Sequence, residues 1–248
     1  MTSNPVCVNA DDLLAKARSL IRKHGYRALP VLDNNRLVGI ISRSDILRVT
    51  STKTNLQVKG LMTPNVVTVS DSEDVTNVAR LMVKNAVRQT PVLDKSGKLV
   101  GVISALDVLN AFVERKISPV KKSVRDVMSV DVVSCSPEEN ITKVWEKMLS
   151  TGFSGLPVVE KSKVVGIITR MDLLKHGSAR PHRESGKNKH VPVRKVMQKK
   201  VITASIGEDT AIVAHLMTAN RIIRLPVVEK GMKLAGIVDI EDLLQAYV

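Results

Sequence analysis

Aromatic residues are nearly missing from this chain: one Trp, two Tyr and two Phe among 248 residues. A surface that reads single-stranded nucleic acid needs several such side chains as stacking platforms, so the composition speaks against that class of function. No helix-turn-helix or RNA-binding motif is present either. Cysteine is equally scarce. Cys7 and Cys135 fall at non-equivalent places, and there is no Cys-x-x-Cys or His-Glu-x-x-His spacing, which argues against a disulfide framework and a structural metal site. No apolar run approaches the roughly 20 residues that a membrane span requires. The segment Met1-Thr2-Ser3-Asn4-Pro5 has neither the charged nor the apolar region of a signal peptide, so a soluble cytoplasmic protein is expected. His24, His176, His182, His190 and His215 form no nucleophile, base and orienter set at motif spacing, and no enzymatic activity is expected.

Acidic residues are in deficit, 24 against 38 Lys and Arg, for a net charge of +14. The excess is uneven. Between Lys175 and Lys200 nine basic residues face one acid, Glu184. With its Gly, Ser and Pro content, the part over 178–192 reads as a mobile, solvated basic linker. The alternative reading is a contact for phosphate, RNA or an acidic protein face.

What the chain does contain is one pattern written four times. Ser or Asn is followed 21 residues later by Pro, then by Gly, then by Asp six residues past that Gly. The copies are Asn9, Pro30, Gly39, Asp45; Ser70, Pro91, Gly101, Asp107; Ser136, Pro157, Gly166, Asp172; and Ser205, Pro226, Gly236, Asp242. Repetition at this period fixes the architecture before any residue is interpreted. The units are repeats over 1–57, 58–116, 117–177 and 193–248. Units of about 50 to 60 residues have marginal cores alone, so they are expected to pack in pairs.

Each repeat reads as strand, helix, strand, strand, helix. A β-prone stretch such as Val66–Val69 leads to Ser70 with Glu73, Ser136 with Glu139, Ser205 with Glu208, and Asn9 with Asp12, which predict capping boxes at the start of a first helix, with Pro137 at a first helical position. Apolar residues at helical spacing follow, as in Val75, Val78 and Met82, or Ile141, Val144, Trp145 and Met148. Gly25, Asn85, Gly152 and Asn220 read as left-handed C-terminal caps. Two strands flank a variable turn, and a second helix begins after Ser42, Ser104, Thr169 or Asp239. Eight residues before the Ser stand Met62, Met128 and Met197, each ending a lead-in such as Val-Lys-Gly-Leu-Met; Met1 holds the equivalent place in the first copy.

Leu-Pro-Val, a Gly-Ile-Ile-Ser or Gly-Ile-Ile-Thr strand and an Asp three residues on resemble the CBS domain, named after cystathionine β-synthase, over nearly the whole chain. The resemblance implies an α+β fold in which four tandem β-α-β-β-α repeats pair into two pseudo-twofold Bateman modules, similar to the gamma subunit of AMP-activated protein kinase and to stand-alone prokaryotic CBS proteins. It implies a non-catalytic regulatory sensor that takes AMP, ADP, ATP or S-adenosylmethionine as regulatory ligand in clefts between paired repeats. A homodimer and a target protein or enzyme are the further partners it suggests; nucleic acid bound by the basic linker is the alternative. The implied ribose ligands are Asp45, Asp107, Asp172 and Asp242. The implied phosphate ligands are Ser42, Ser104 and Thr169 with Arg27, Arg88, Arg170 and Arg224, since an arginine clamps phosphate with two parallel bonds. Met128 and Met197 are candidates to cover adenine, with core packing as the other reading. Ser-x-x-Asp is also a helix-capping box, and the two roles are compatible because a helix start is itself an anion site. The fourth copy departs with Asp239 in the hydroxyl position, which implies an empty cleft or one for an uncharged nucleoside moiety.

Overall fold

The structure, a computed structural model, describes residues 1–49, 55–176 and 190–248. It divides into two compact units, Met1–Phe112 with Val248, and Val113–Tyr247. Repeats one and two therefore share the first unit, and repeats three and four the second.

The chain runs β1 (Thr2–Ser3), β2 (Val8–Asn9), α1 (Leu14–His24), β3 (Ala28–Asp33), β4 (Arg36–Ser42), α2 (Arg43–Arg48), β5 (Val69–Ser70), α3 (Val75–Lys84), β6 (Gln89–Leu93), β7 (Leu99–Ser104) and α4 (Ala105–Glu114). It continues with α5 (Ile141–Thr151), β8 (Gly155–Glu160), β9 (Lys163–Thr169), α6 (Arg170–Lys175), β10 (Ala204–Ser205), α7 (Thr210–Ala219), β11 (Arg224–Glu229), β12 (Lys233–Asp239) and α8 (Ile240–Tyr247). Each repeat has the expected β-α-β-β-α order, except that the first strand of the third is a single parallel bridge between Cys135 and Val158. The short strand pairs parallel with the hairpin, as Val8 with Val31 and Val69 with Val92. Every hairpin carries a register shift at the same point, after Val31, Val92, Val158 and Val227. In the first hairpin Asn34 and Asn35 both take positive φ, the backbone twist a two-residue hairpin loop requires.

The first helices start four residues later than the capping-box reading places them. Asp74, Asn140 and Asp209 are the true N-caps of α3, α5 and α7, accepting from Thr76 N–H at 2.8 Å, Thr142 N–H at 3.0 Å and Ala211 N–H at 2.6 Å. The earlier Ser-x-x-Glu segments form turns, closed by Glu73 N–H to Ser70 O at 3.1 Å and Glu208 N–H to Ser205 O at 2.9 Å, and Pro137 sits in such a turn. The C-caps split in two. Gly25 and Gly152 are left-handed, at φ 72° and 77°. Asn85 and Asn220 are not; their side chains bond back to Leu81 O and Leu216 O at 2.8 Å, and the left-handed residues are the next ones, Ala86 and Arg221.

Those turns have a purpose: they receive the lead-in of the partner repeat. Val58 N–H bonds Asp12 O at 2.9 Å, Val124 N–H bonds Glu208 O at 3.0 Å, and Val193 N–H bonds Glu139 O at 2.9 Å. All three valines are fully buried, Val58 within the core formed by Leu14, Ala17, Ile21, Leu29, Val31 and Ile41. Burial of such a side chain is worth about 1.5–3 kcal/mol. The free amide at the start of each receiving helix is satisfied by the segment that leads into or opens the partner repeat: Leu14 by Leu56 O, Ile141 by Val191 O and Thr210 by Lys122 O, at 2.8, 3.0 and 2.8 Å. Each lead-in ends with its Met on the Gly of the partner's hairpin. Met62 lies on Gly39, Met1 on Gly101, Met197 on Gly166 and Met128 on Gly236, so close that a Cβ built on those glycines would meet sulfur at 2.5 to 2.8 Å. Paired repeats thus exchange lead-ins, and the mouth of each repeat is built from two.

Candidate functional site

At the start of α2, Ser42 N–H and Ser42 Oγ–H both donate to Asp45 Oδ2, at 2.8 and 2.6 Å, and Asp45 N–H donates to Ser42 Oγ at 3.3 Å. The same three bonds hold Ser104 to Asp107 and Thr169 to Asp172. The capping box is therefore realised in three copies. It fixes each half-buried carboxylate by one oxygen and leaves Oδ1 for something else.

The partner's lead-in delivers what Oδ1 faces in the third copy. Gln198, directly after Met197, exchanges backbone bonds with Ile167 at 2.9 and 3.0 Å and donates from Nε2 to Asp172 Oδ1 at 3.0 Å. The residues after the other lead-in methionines hold the equivalent places. Thr63 exchanges backbone bonds with Ile40, Ser129 with Ile237, and Thr2 pairs with Val102. Sequence reasoning did not single out these four polar residues, and their one signal is their position after each Met.

The arginines have different placements. Arg27 O accepts from Arg43 N–H at 2.7 Å and Arg88 O from Ala105 N–H at 2.9 Å, which sets Arg27 beside the Ser42–Asp45 box and Arg88 beside Ser104–Asp107. Arg43 turns away, its Nη2 donating to Gly25 O and Tyr26 O at 2.8 Å, where it satisfies carbonyls at the end of α1. Arg170 does likewise, from Nη2 to Met148 O at 2.6 Å, while its Nε is buried without a partner. Burial, and then the charge of Arg224, lower the proton affinity of Arg170. Arg224 crosses to the neighbouring repeat: its Nη1 donates to Gly155 O at 3.0 Å and its guanidinium lies 5.3 Å from the centre of the Phe153 ring. Its Nε donates to Asp239 Oδ2 at 3.0 Å, with Nη2 on the same oxygen.

In the fourth copy Asp242 Oδ2 accepts Asp239 N–H at 2.7 Å, so the carboxylate keeps its capping bond without a hydroxyl. Burial pushes Asp242 up to about 6; the Asp239 N–H bond opposes this, the charges of Asp239 and Glu241 add to it, and Arg224 opposes it again. Met128 and Met197 pack on Gly236 and Gly166 in the hairpins of the fourth and third repeats. The linker over 178–192 falls mostly outside the described residues. Among the described residues no cluster of three or more His, Cys, Asp or Glu is placed to hold a metal ion, and no helix is long and apolar enough to cross a membrane.

Comparison with known proteins agrees with this architecture. The CBS domain family matches residues 1–51, 58–114, 124–179 and 193–248. The protein MJ1225 of Methanocaldococcus jannaschii is 30% identical over 98% of this chain and 95% of its own length. Its crystal structure, put forward as that of an archaeal homolog of g-AMPK, superposes with a TM-score of 0.81 at 27% identity, covering 100% of this chain and 98% of that one. A conserved protein of Pyrococcus horikoshii superposes with a TM-score of 0.74 at 25% identity, covering 100% and 97% of the two chains. CBSX2 of Arabidopsis thaliana, crystallised with AMP, aligns with 47% of this chain and 94% of its own at 31% identity and a TM-score of 0.42. Four family matches spanning nearly the full sequence, on four repeats folded and paired as described, establish that this chain belongs to the CBS domain family.

Proposed function

We propose that this chain is a non-catalytic regulatory sensor that binds adenosine derivatives, AMP, ADP, ATP or S-adenosylmethionine, at the mouths between paired repeats. The observation that carries the reading is the contact between Gln198 and Asp172. One carboxylate oxygen is fixed by the capping box, while the other is offered, at a seam between two repeats, to a hydrogen-bond donor that does not belong to its own repeat. A ribose hydroxyl is such a donor, and a carboxylate suits it. Asp45, Asp107 and Asp172 then hold ribose, with Ser42, Ser104 and Thr169 on phosphate at the starts of the following helices. Arg27 and Arg88 supply positive charge in the first unit. Because each mouth has parts from both repeats, a ligand that prefers one arrangement of the pair shifts the unit toward it, by no more than its difference in affinity for the two arrangements.

The test is thermal unfolding of the full chain with each ligand. A ligand at 100 times its Kd stabilises by about 2.7 kcal/mol, a readily measured rise in Tm. Asp45→Asn, Asp107→Asn and Asp172→Asn should weaken the response one mouth at a time. If none of the four ligands raises Tm at millimolar concentration, the proposal fails.

A further inference from the structure

The fourth mouth differs from the others by more than one side chain. Asp239 stands in the place of Ser42, Ser104 and Thr169, and its backbone partner across the hairpin is Arg224. Its Oδ1 accepts Ile240 N–H at 2.7 Å and its Oδ2 accepts from Arg224 Nε and Nη2. Only 10% of the Arg224 side chain and 12% of the Asp239 side chain remain exposed. The first amide of α8 is shared with Ile223 O at 2.9 Å, and an oxyanion clamped by an arginine at a helix start is the arrangement a bound phosphate would make. Here the chain supplies the oxyanion itself.

We infer that Asp239 is an internal counter-ion that withholds Arg224 from phosphate and makes the unit of repeats three and four select adenosine-type nucleosides without phosphate over nucleotides. The inference rests on the proposal that the mouths bind adenosine derivatives. An entering phosphate must either break a buried ion pair or settle beside a second anion, and both are costly. Asp242 and Glu241 add negative charge at the same mouth. The third mouth has Ser154 and Gly155 where the first two have arginine, and the cation that reaches it is Arg224, already seated on Gly155 O. Arg170 is turned onto Met148 O. Arg170 and Arg224 are thus both engaged within the second unit. The first unit has hydroxyls at Ser42 and Ser104 in the Asp239 position, and the backbones of Arg27 and Arg88 run beside them.

The experiment uses the full chain carrying Asp45→Asn and Asp107→Asn to silence the first unit, titrated calorimetrically with adenosine and with AMP. With Asp239 present, adenosine should bind at least about tenfold more tightly than AMP, the scale of one charge-assisted interaction. Adding Asp239→Ser frees Arg224 beside Arg170, and AMP affinity should rise about tenfold or more. Arg224→Gln should abolish the gain in the Asp239→Ser chain, and with Asp239 present it should weaken AMP further, because it leaves the carboxylate without its counter-ion. Asp239→Asn, which keeps an acceptor for Arg224 and Ile240 without the charge, should move AMP affinity the same way and serves if the serine variant does not fold. AMP binding as tight as adenosine with Asp239 present, or no gain in a folded variant at position 239, overturns the inference. So does a second unit that binds neither ligand while the unmodified chain still binds AMP. If the unmodified chain binds neither, the broader proposal falls as well.

Discussion

Replacing Gly166 by alanine strikes at the exchange of lead-ins on which every mouth depends. A Cβ built there meets Met197 Sδ at 2.6 Å, Gln198 O at 3.1 Å and Met197 Cγ at 3.2 Å. The sulfur can swing aside on a flexible side chain. The carbonyl cannot, because Gln198 and Ile167 are joined by two backbone bonds of 2.9 and 3.0 Å. Overpacking of this kind costs about 1–3 kcal/mol. Against it stands the smaller entropy of an unfolded chain with one glycine fewer, about 0.4–1 kcal/mol in favour of the variant. The clash wins, and a net loss of about 1–2 kcal/mol is expected, or roughly 2–8 °C in Tm for a unit of this size. Thermal unfolding followed by circular dichroism reads it, with Gly207→Ala, whose new Cβ would meet nothing within 4 Å, as the control. Met197→Ala removes the sulfur, so Gly166→Ala should cost less in that background, by about 0.5 kcal/mol or more. A Gly166→Ala chain as stable as the control would refute the reasoning.

Three further outcomes follow from the geometry. Asp74→Ala should cost about 1 kcal/mol in chemical denaturation and Ser70→Ala much less, because Asp74 caps α3 and Ser70 belongs to the turn before it; equal losses would return the cap to Ser70. Thr210→Val should stabilise by about 1 kcal/mol, since the Thr210 hydroxyl is fully buried without a partner, and the matching residues of the other repeats, Leu14, Val75 and Ile141, are apolar. An unchanged denaturation midpoint would show that the hydroxyl finds a partner in solution. Asp242 binds its proton more tightly folded, at about 6, than at the ordinary 3.8. The folded state therefore holds more protons between about pH 4 and 6, and stability from this group falls as pH rises through that window. Asp242→Asn should leave Tm unchanged near pH 4 and raise it above pH 6, and an equal effect at both ends would contradict the assignment.

The parts of the fold set by local patterns were legible in the sequence. Four repeats, the hairpins around their turns and the second helices after Ser42, Ser104, Thr169 and Asp239 all follow from periodicity and turn chemistry. The first helices were misplaced because Ser-x-x-Glu satisfies the capping pattern as a turn too, and the Asx residues four positions later were passed over. The exchange of lead-ins was not legible, since it is settled by which repeat buries Val58, Val124 and Val193, a tertiary choice with no local signature. Gln198 was missed for the same reason. The pairing of Arg224 with Asp239 was within reach: the hairpin register places them opposite each other, and the acid appears in the one copy whose arginine stands on that register.

The central claim is that carboxylates which start helices also hold sugar hydroxyls. Its most direct measurement is a crystal structure of the full chain grown with excess AMP. The account predicts ribose hydroxyls within about 3 Å of Oδ1 of Asp45 and Asp107, with Oδ2 still in its capping box. AMP bound elsewhere, or mouths without AMP while both carboxylates only cap their helices, would contradict it.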